Sequence, residues 1–164
     1  MNKLYYIAFL LVAGLLFTAC GDDDEACSAQ PNLSVDQAQL VKDVEAIDTY
    51  LQENNITATE MENGLRYVIN ASGEGSNPNI CNSVTVNYVG KLMSNGSVFD
   101  KSSNPVTFPL SALITGWQIG IPLIASGGEV TLYIPSVYAY GSRGSGSIPP
   151  NANLIFDIDL LEVK

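Results

Sequence analysis

Apolar residues recur at two different spacings along this chain. Over residues 34–55 the spacing is three to four, which predicts an amphipathic helix. Ser34 and Gln37 stand at the spacing of a capping box, and the pair Asn54-Asn55 is expected to end the helix. The apolar side of this leader helix consists of Leu40, Val41, Val44, Ile47 and Leu51. We expect that side to pack on the rest of the chain, with binding to a separate partner as the alternative.

Beyond the leader helix the apolar spacing is two, which predicts strands. The strand segments are GLRYVIN (64–70), SVTVNYVGKL (83–92), SVFD (97–100), 106–110, EVTLYIP (129–135) and NLIFDIDLLEV (153–163). Asn95 and Gly96 predict a tight turn before the third of these segments. Residues 115–124 predict a short helix that Pro122 ends early. The predicted fold class is α+β, an antiparallel sheet with one face packed on one short helix, preceded by the amphipathic leader helix.

The N-terminal segment, residues 1–19, predicts a lipoprotein signal peptide. Lys3 precedes an uncharged apolar run, Leu4 to Phe17, which is shorter than the ~20 residues that a membrane-spanning helix needs. Ala19 and Cys20 follow, and a cysteine after small residues is typical of cleavage before it and lipidation of its sulfur. An ordinary secretory signal with an incidental cysteine is the alternative.

Three further segments follow the signal peptide. Residues 20–33 contain the run GDDDE and predict an acidic tether, 34–63 hold the leader helix and a linker, and 64–164 form the main domain. The predicted location is the bacterial cell envelope, with a lipid anchor in the outer membrane through Cys20. Both the periplasmic and the surface face of that membrane remain open.

Charge and composition exclude several kinds of function. Residues 20–78 hold twelve acidic and two basic side chains, whereas residues 79–164 hold five and four, so the chain has no basic stripe for nucleic acid. It has no histidine, which excludes Ser-His-Asp and Cys-His catalysis and histidine-ligated metals, and we expect neither a metal nor a cofactor. Cys27 and Cys81 either form a disulfide or remain free thiols; their spacing does not decide between the two.

Aromatic residues at turns are the chemistry that the sequence offers instead. One carboxylate, Asp100, directly follows an aromatic residue. The aromatic residues of the strand-rich part are Tyr88, Phe99, Phe108, Trp117, Tyr138, Tyr140 and Phe156. Asp157 and Asp159 alternate with apolar residues on a strand, so both are expected to face water rather than to form an acid–base pair.

Five motifs in order give the strand-rich part a family resemblance. They are VTVNYVGKL, NGSVFD, LITGW, YAYG and IPPNANLIFDIDLLEV. Residues 64–164 resemble the FKBP-type peptidyl-prolyl cis-trans isomerases. The resemblance implies a sheet curled around one helix with an apolar pocket between them, and a flap over the pocket formed by the loop from Tyr140 to Ile148.

The resemblance also implies site residues. The catalytic group would be Asp100, Trp117, Tyr140 and Phe156, with Trp117 as the floor beneath the prolyl ring. The substrate-binding group would be Tyr88, Phe99, Val106, Leu113, Ile114 and Ile148. The Ile114 amide and the Tyr140 hydroxyl would donate hydrogen bonds to substrate carbonyls. Val106 stands where the family commonly has an aromatic residue, which implies a thinner wall there.

The function implied by the resemblance is isomerisation of X-Pro bonds during the folding of exported proteins. The partners would be proline-containing polypeptides, and the chain is expected to be a monomer. A non-catalytic module that holds proline-containing chains in the same groove is the alternative, and a surface lipoprotein with a partner outside the cell is a further one.

Overall fold

A computed structural model describes residues 27–164 of the chain. The predicted signal peptide, the lipidation site Cys20 and the acidic run at 21–25 lie outside the described residues. Within 27–164 no helix combines the length and the apolar character that crossing a membrane requires.

The described chain contains two α-helices and seven strands. The helices are α1 (Gln37–Glu53) and α2 (Thr115–Gly120). The strands are β1 (Thr59–Glu60), β2 (Arg66–Ala71), β3 (Ser83–Leu92), β4 (Val98–Lys101), β5 (Val106–Pro109), β6 (Gly128–Ile134) and β7 (Leu154–Val163). Short 3₁₀ turns cover Leu110–Ala112, Ile121–Leu123, Ser136–Tyr138 and Gly141–Arg143. The α+β class is confirmed, and the period-two segments correspond to β2 through β7.

The strands form one antiparallel sheet in the order β1-β2-β6-β7-β3-β4. The last strand, β7, lies in the middle, paired with β6 on one side and β3 on the other. The free side of β3 is shared, since β4 pairs with residues 89–91 and β5 with residues 83–86.

Helix α2 lies very close to the inner face of the sheet, and two glycines allow this approach. A Cβ atom on Gly116 would come within 2.4 Å of Ile134 Cγ2, and one on Gly120 within 2.4 Å of Leu132 Cδ1. As predicted, the α-helix ends early, at Gly120, and Pro122 stands in the following 3₁₀ turn. The core between helix and sheet is aliphatic, with Leu132, Ile134, Leu154 and Leu160 fully buried.

The leader helix forms, but its N-terminal cap is not the predicted one. It is capped by Asp36, whose carboxylate accepts hydrogen bonds from the Ala38 and Gln39 amides, so the proposed capping box of Ser34 and Gln37 does not exist. The reason is that the helix begins at Gln37, which leaves Ser34 outside its first turn. The end at Asn54 is as predicted.

The buried side of α1 also differs from the predicted one. Val41 is 67% exposed, whereas Asp43, which the apolar pattern did not include, is 2% exposed. Ile47 and Leu51 are buried against Met93, Tyr133 and Ile155 on the outer face of the sheet. The helix therefore packs on its own domain, and the sheet is covered on both faces at this end rather than on one face only.

A disulfide joins Cys27 to Cys81, with the two Cα atoms 6.0 Å apart. It connects the segment before α1 to the turn that precedes β3. The first described residue is thereby attached to the domain.

Candidate active site

A cavity of about 220 Å³ opens between α2 and the inner face of the sheet. Its lining residues are Tyr88, Asp100, Phe108, Leu113, Ile114, Trp117, Tyr140 and Phe156. Strands β3 and β7 supply Tyr88 and Phe156 from adjacent positions in the middle of the sheet. The start of α2 supplies the opposite wall, so helix and sheet together form a pocket that neither has alone.

Aromatic rings in edge-to-face contact form the inner part of the cavity. The Trp117 ring centroid lies 5.2 Å from that of Tyr88 and 5.1 Å from that of Phe156, with interplanar angles of 80° and 89°. Phe99 contacts Phe156 at 5.5 Å and 85°. Gly90 is required here, because a Cβ atom would approach the Phe99 and Phe156 rings to within 2.7 and 2.8 Å. Such rings hold each other in fixed orientations.

Trp117 and Phe156 are the deeply buried members of the lining, 4% and 3% exposed. The indole Nε1 of Trp117 has no hydrogen-bond partner among the described residues. It is a buried donor left unsatisfied beside the cavity.

One carboxylate lies at the polar edge of the cavity. The Tyr88 hydroxyl donates a 2.7 Å hydrogen bond to Asp100 Oδ2. Burial, followed by the hydrogen bond to Asp100 and its charge, raises the pKa of Tyr88 to about 12. Burial also raises the pKa of Tyr140, and the nearby Asp100 adds to this effect. Both tyrosines are therefore protonated hydrogen-bond donors at neutral pH.

Two more donors beside the cavity, besides the Trp117 indole, have no partner among the described residues. The Tyr140 hydroxyl makes no hydrogen bond there, nor does the Ile114 amide, although the Ile114 carbonyl accepts from Trp117 and Gln118. The Gln118 side chain donates to the Leu113 carbonyl at 2.8 Å, which fixes the segment that carries the Ile114 amide. Donors left unpaired next to a pocket are available to a bound molecule.

Seven of the ten site residues named from the sequence line the cavity: Tyr88, Asp100, Leu113, Ile114, Trp117, Tyr140 and Phe156. Phe99, Val106 and Ile148 are not among the lining residues, and their part in substrate binding stays a prediction. Phe99 packs against Phe156 from the side. Val106 lies at the beginning of β5, and the ring centroid of Phe108 on the same strand lies 6.5 Å from that of Tyr88.

Phe108 lines the cavity, although the sequence reasoning gave it no place in the site. It lies on β5 two residues after Val106, so both side chains point to the same side of the strand. The alternation of Val106, Phe108 and Leu110 was the signal that could have identified it, because the larger ring at the next inward position reaches further.

Ile148 stands at the end of a hydrogen-bonded turn and is buried. Its amide donates to the Ser145 carbonyl at 2.8 Å and its carbonyl accepts from Ser145 at 2.9 Å, and the side chain is 7% exposed within the core. Gly144 has φ +65°, and a Cβ there would lie 2.3 Å from the Ile148 carbonyl oxygen. The loop after Tyr140 is therefore a tight turn with Ile148 directed inward.

No metal centre accompanies this cavity in the described residues, because within 27–164 no three His, Cys, Asp or Glu side chains cluster closely enough to hold an ion. Asp157, which the sequence predicted to face water, lies on the outer face of the sheet, and its carboxylate pairs with Lys91 Nζ at 2.7 Å.

Comparison with known proteins decides the family. A family model described as FKBP-type peptidyl-prolyl cis-trans isomerase matches residues 74–161, more than half of the chain. The chain belongs to this family. The matched range of the FKBP-type domain contains all eight residues that line the cavity.

Relatives of this FKBP-type chain include a probable FKBP-type isomerase FkpA of Neisseria meningitidis serogroup B, 49% identical over 61% of this chain and 38% of that protein. FkpA of Escherichia coli is 37% identical over 84% of this chain and 51% of its own length. The crystal structure of the Escherichia coli protein superposes with a TM-score of 0.68 at 36% identity, covering 78% of this chain and 64% of that one. The chain thus spans about half or less of the length of these curated relatives.

Proposed function

We propose that this protein is a peptidyl-prolyl cis-trans isomerase that acts on X-Pro bonds in polypeptides. The observation that carries the proposal is the ring-lined cavity with unpaired donors at its rim. Its volume of about 220 Å³ suits one prolyl ring, and its floor and walls are apolar. The family membership supports the same activity.

The reaction needs no nucleophile. Amide resonance keeps the X-Pro bond planar and gives its rotation a barrier of about 18–20 kcal/mol. Resonance places partial charge on the carbonyl oxygen and the nitrogen, and water stabilises that separation. An apolar cavity removes the water, and donors that hold the twisted form better than the planar one lower the barrier further.

Each lining residue has a proposed part in this process. Trp117 receives the prolyl ring, with Phe156 and Tyr88 as walls. The Ile114 amide and the Tyr140 hydroxyl donate to substrate carbonyls on either side of the rotating bond. Asp100 acts at the rim and holds the Tyr88 hydroxyl at 2.7 Å.

We further propose that the protein works in the bacterial cell envelope on exported proteins, as a monomer anchored through lipid on Cys20. The lipidation motif supports this, and the docked position of α1 agrees with a monomer because the apolar side of the helix is covered by its own sheet. Unaided X-Pro isomerisation takes roughly tens to hundreds of seconds, which is long enough to delay the folding of a protein after export. Metabolic labelling with a palmitate analogue would test the anchor, which Cys20→Ser should abolish.

The alternative function is binding of proline-containing chains without turnover. The absence of Ile148 from the lining of the cavity favours it. Such a module would protect unfolded chains from aggregation in proportion to its amount.

One assay distinguishes the two functions. The full-length chain, purified in detergent, is added in catalytic amount to an X-Pro peptide and, separately, to a protein whose refolding is limited by prolyl isomerisation. We expect both reactions to accelerate, and Trp117→Ala to abolish the effect. Protection from aggregation without acceleration of either reaction would overturn the isomerase proposal in favour of the binding module.

A further inference from the structure

A buried carboxylate on the leader helix has no part in the reaction described so far. Asp43 is 2% exposed and lies in the middle of α1, on the side that faces the domain. Its Oδ2 accepts hydrogen bonds from Ser136 Oγ at 2.6 Å and from the Val137 amide at 3.3 Å. Its Oδ1 accepts from Gln39 Nε2 at 2.8 Å. Burial of a carboxylate is costly unless its oxygens are paired in this way.

A second side chain extends the same network. Asn153 donates from Nδ2 to the Asp43 carbonyl at 3.2 Å, and its Oδ1 accepts from the Ser136 amide at 2.9 Å. Ser136 is itself fully buried. Asp43 thus holds Ser136 directly and Asn153 through its backbone, while these two residues also hold each other.

Ser136 and Asn153 stand at the two ends of the loop that carries Tyr140. Ser136 opens the 3₁₀ turn after β6, and Asn153 immediately precedes β7. The Ala139 amide donates to the Ser136 carbonyl at 3.0 Å, which leaves a single residue step between this turn and Tyr140. The position of Tyr140 therefore follows from the position of Ser136.

We propose that Asp43 is a positioning residue for the cavity. By fixing both ends of the loop from Ser136 to Asn153, it places the Tyr140 hydroxyl at the rim. The leader helix is then a working part of the isomerase, not a spacer between anchor and domain. This inference rests on the proposed function and assigns that site a support outside the segment that the family model matches.

The same helix offers a matched control. Asp48 pairs with the buried Arg66 through two hydrogen bonds, of 2.9 and 3.1 Å. This second anchor ties α1 to β2 and has no contact with the loop that carries Tyr140. Loss of either anchor weakens the docking of α1, but only loss of Asp43 releases the loop.

The test compares Asp43→Ala, Ser136→Ala and Asp48→Ala in the full-length chain in detergent, on an X-Pro peptide at about 10 °C, where the uncatalysed reaction is slow. We expect Asp43→Ala to lower kcat about tenfold and to leave KM within about twofold of that of the unmodified protein. The reason is that the Tyr140 hydroxyl is displaced while the apolar walls of the cavity remain. Ser136→Ala, which removes only a hydroxyl, should lower kcat about threefold. Asp43→Asn should lower kcat less than Asp43→Ala does, because its amide oxygen still accepts a hydrogen bond. Asp48→Ala should leave kcat within about twofold of the unmodified protein.

Amide chemical shifts give a readout that does not need turnover. Resonances from Tyr140 to Ile148 should shift in Asp43→Ala and Ser136→Ala but not in Asp48→Ala. Unchanged kcat and unchanged shifts in Ser136→Ala would overturn the inference, as would an Asp48→Ala effect equal to that of Asp43→Ala. If the unmodified protein were inactive, the proposed function would be overturned instead. The amide chemical shifts of residues 140–148 would then still show whether Asp43 positions the loop.

Discussion

Two helices pack on opposite faces of the same sheet, and they do so in different ways. Helix α2 approaches the inner face through Gly116 and Gly120, where no side chain separates helix from strand. Helix α1 packs on the outer face with full-sized side chains, Ile47 and Leu51, and with polar anchors. The close approach of α2 leaves the ring-lined cavity at its end, whereas Ile47 and Leu51 of α1 are themselves buried in the interface.

Polar groups at the two interfaces differ in the same way. Each anchor of α1 has its partners: Asp43 with Ser136, and Asp48 with Arg66. Beside α2, the Tyr140 hydroxyl and the Ile114 amide have none among the described residues. Paired polar groups fix a structure, and unpaired ones beside an apolar hollow indicate where a ligand completes it.

Removal of apolar packing from the filled interface should produce the largest effect. Ile47→Ala should lower the free energy of unfolding by about 3 kcal/mol, because a fully buried side chain leaves a cavity. Val41→Ala on the same helix, at a site that is 67% exposed, should change it by less than about 0.5 kcal/mol. Urea unfolding of the full-length chain measures both. Equal effects would mean that α1 is a tether that does not unfold together with the domain.

Adding one methyl group to the close interface should have the next largest effect. Gly116→Ala should lower the free energy of unfolding by about 2 kcal/mol, since the new Cβ would meet Ile134 Cγ2 at 2.4 Å. Helix propensity alone predicts the opposite sign, a gain of up to about 1 kcal/mol. The sign of the change in urea unfolding therefore decides whether close approach sets the position of α2.

Removing one unpaired donor should affect turnover and leave stability unchanged. Tyr140→Phe should lower kcat/KM for an X-Pro peptide about tenfold, equivalent to ~1.4 kcal/mol of lost transition-state stabilisation. Tyr50→Phe, the same chemical change on α1 beside Tyr133, is the control and should be neutral. Full activity in Tyr140→Phe would remove this hydroxyl from the mechanism.

The smallest effect concerns pH. The pKa of Tyr88 rises from 10.0 in the unfolded chain to about 12 in the fold, so the native state binds its proton more tightly. The resulting stability is fully present below about pH 10 and is lost as the pH rises towards about 12. Urea unfolding at several pH values should show this loss, and Tyr88→Phe should remove part of it. Between about pH 7 and 9 the tyrosines stay protonated and should give kcat/KM no pH dependence.

The sequence predicted more of the structure on the inner face of the sheet than on its outer face. The family motifs and the period of two located β2 through β7, α2 and seven cavity residues, because each depends on local pattern. Phe99, Val106 and Ile148 are not among the lining residues. Phe99 packs against the Phe156 ring, and Ile148 is held in a tight turn by hydrogen bonds with Ser145. Neither of these is visible in the order of residues.

The outer face depends on partners far apart in the chain. Asp43 and Ser136 are 93 residues apart, and nothing near Asp43 in the sequence indicates that its carboxylate is buried. Helical spacing identified Ile47 and Leu51 but also Val41, because the period alone does not say where the apolar stripe ends. Asp36 rather than Ser34 is the cap because the helix begins at Gln37, a start that the apolar period alone does not specify.

The central position of β7 has a consequence for the order of folding. Its ten residues pair with β3 along one side and β6 along the other, yet they are the last of the described elements to be synthesised. Until residues 154–163 emerge, from a ribosome or from a translocation channel, β2 and β6 remain separate from β3, β4 and β5. The two parts of the sheet therefore stay separate until then, and the ring-lined cavity, which includes Phe156 of β7, forms only when the final strand is inserted between them.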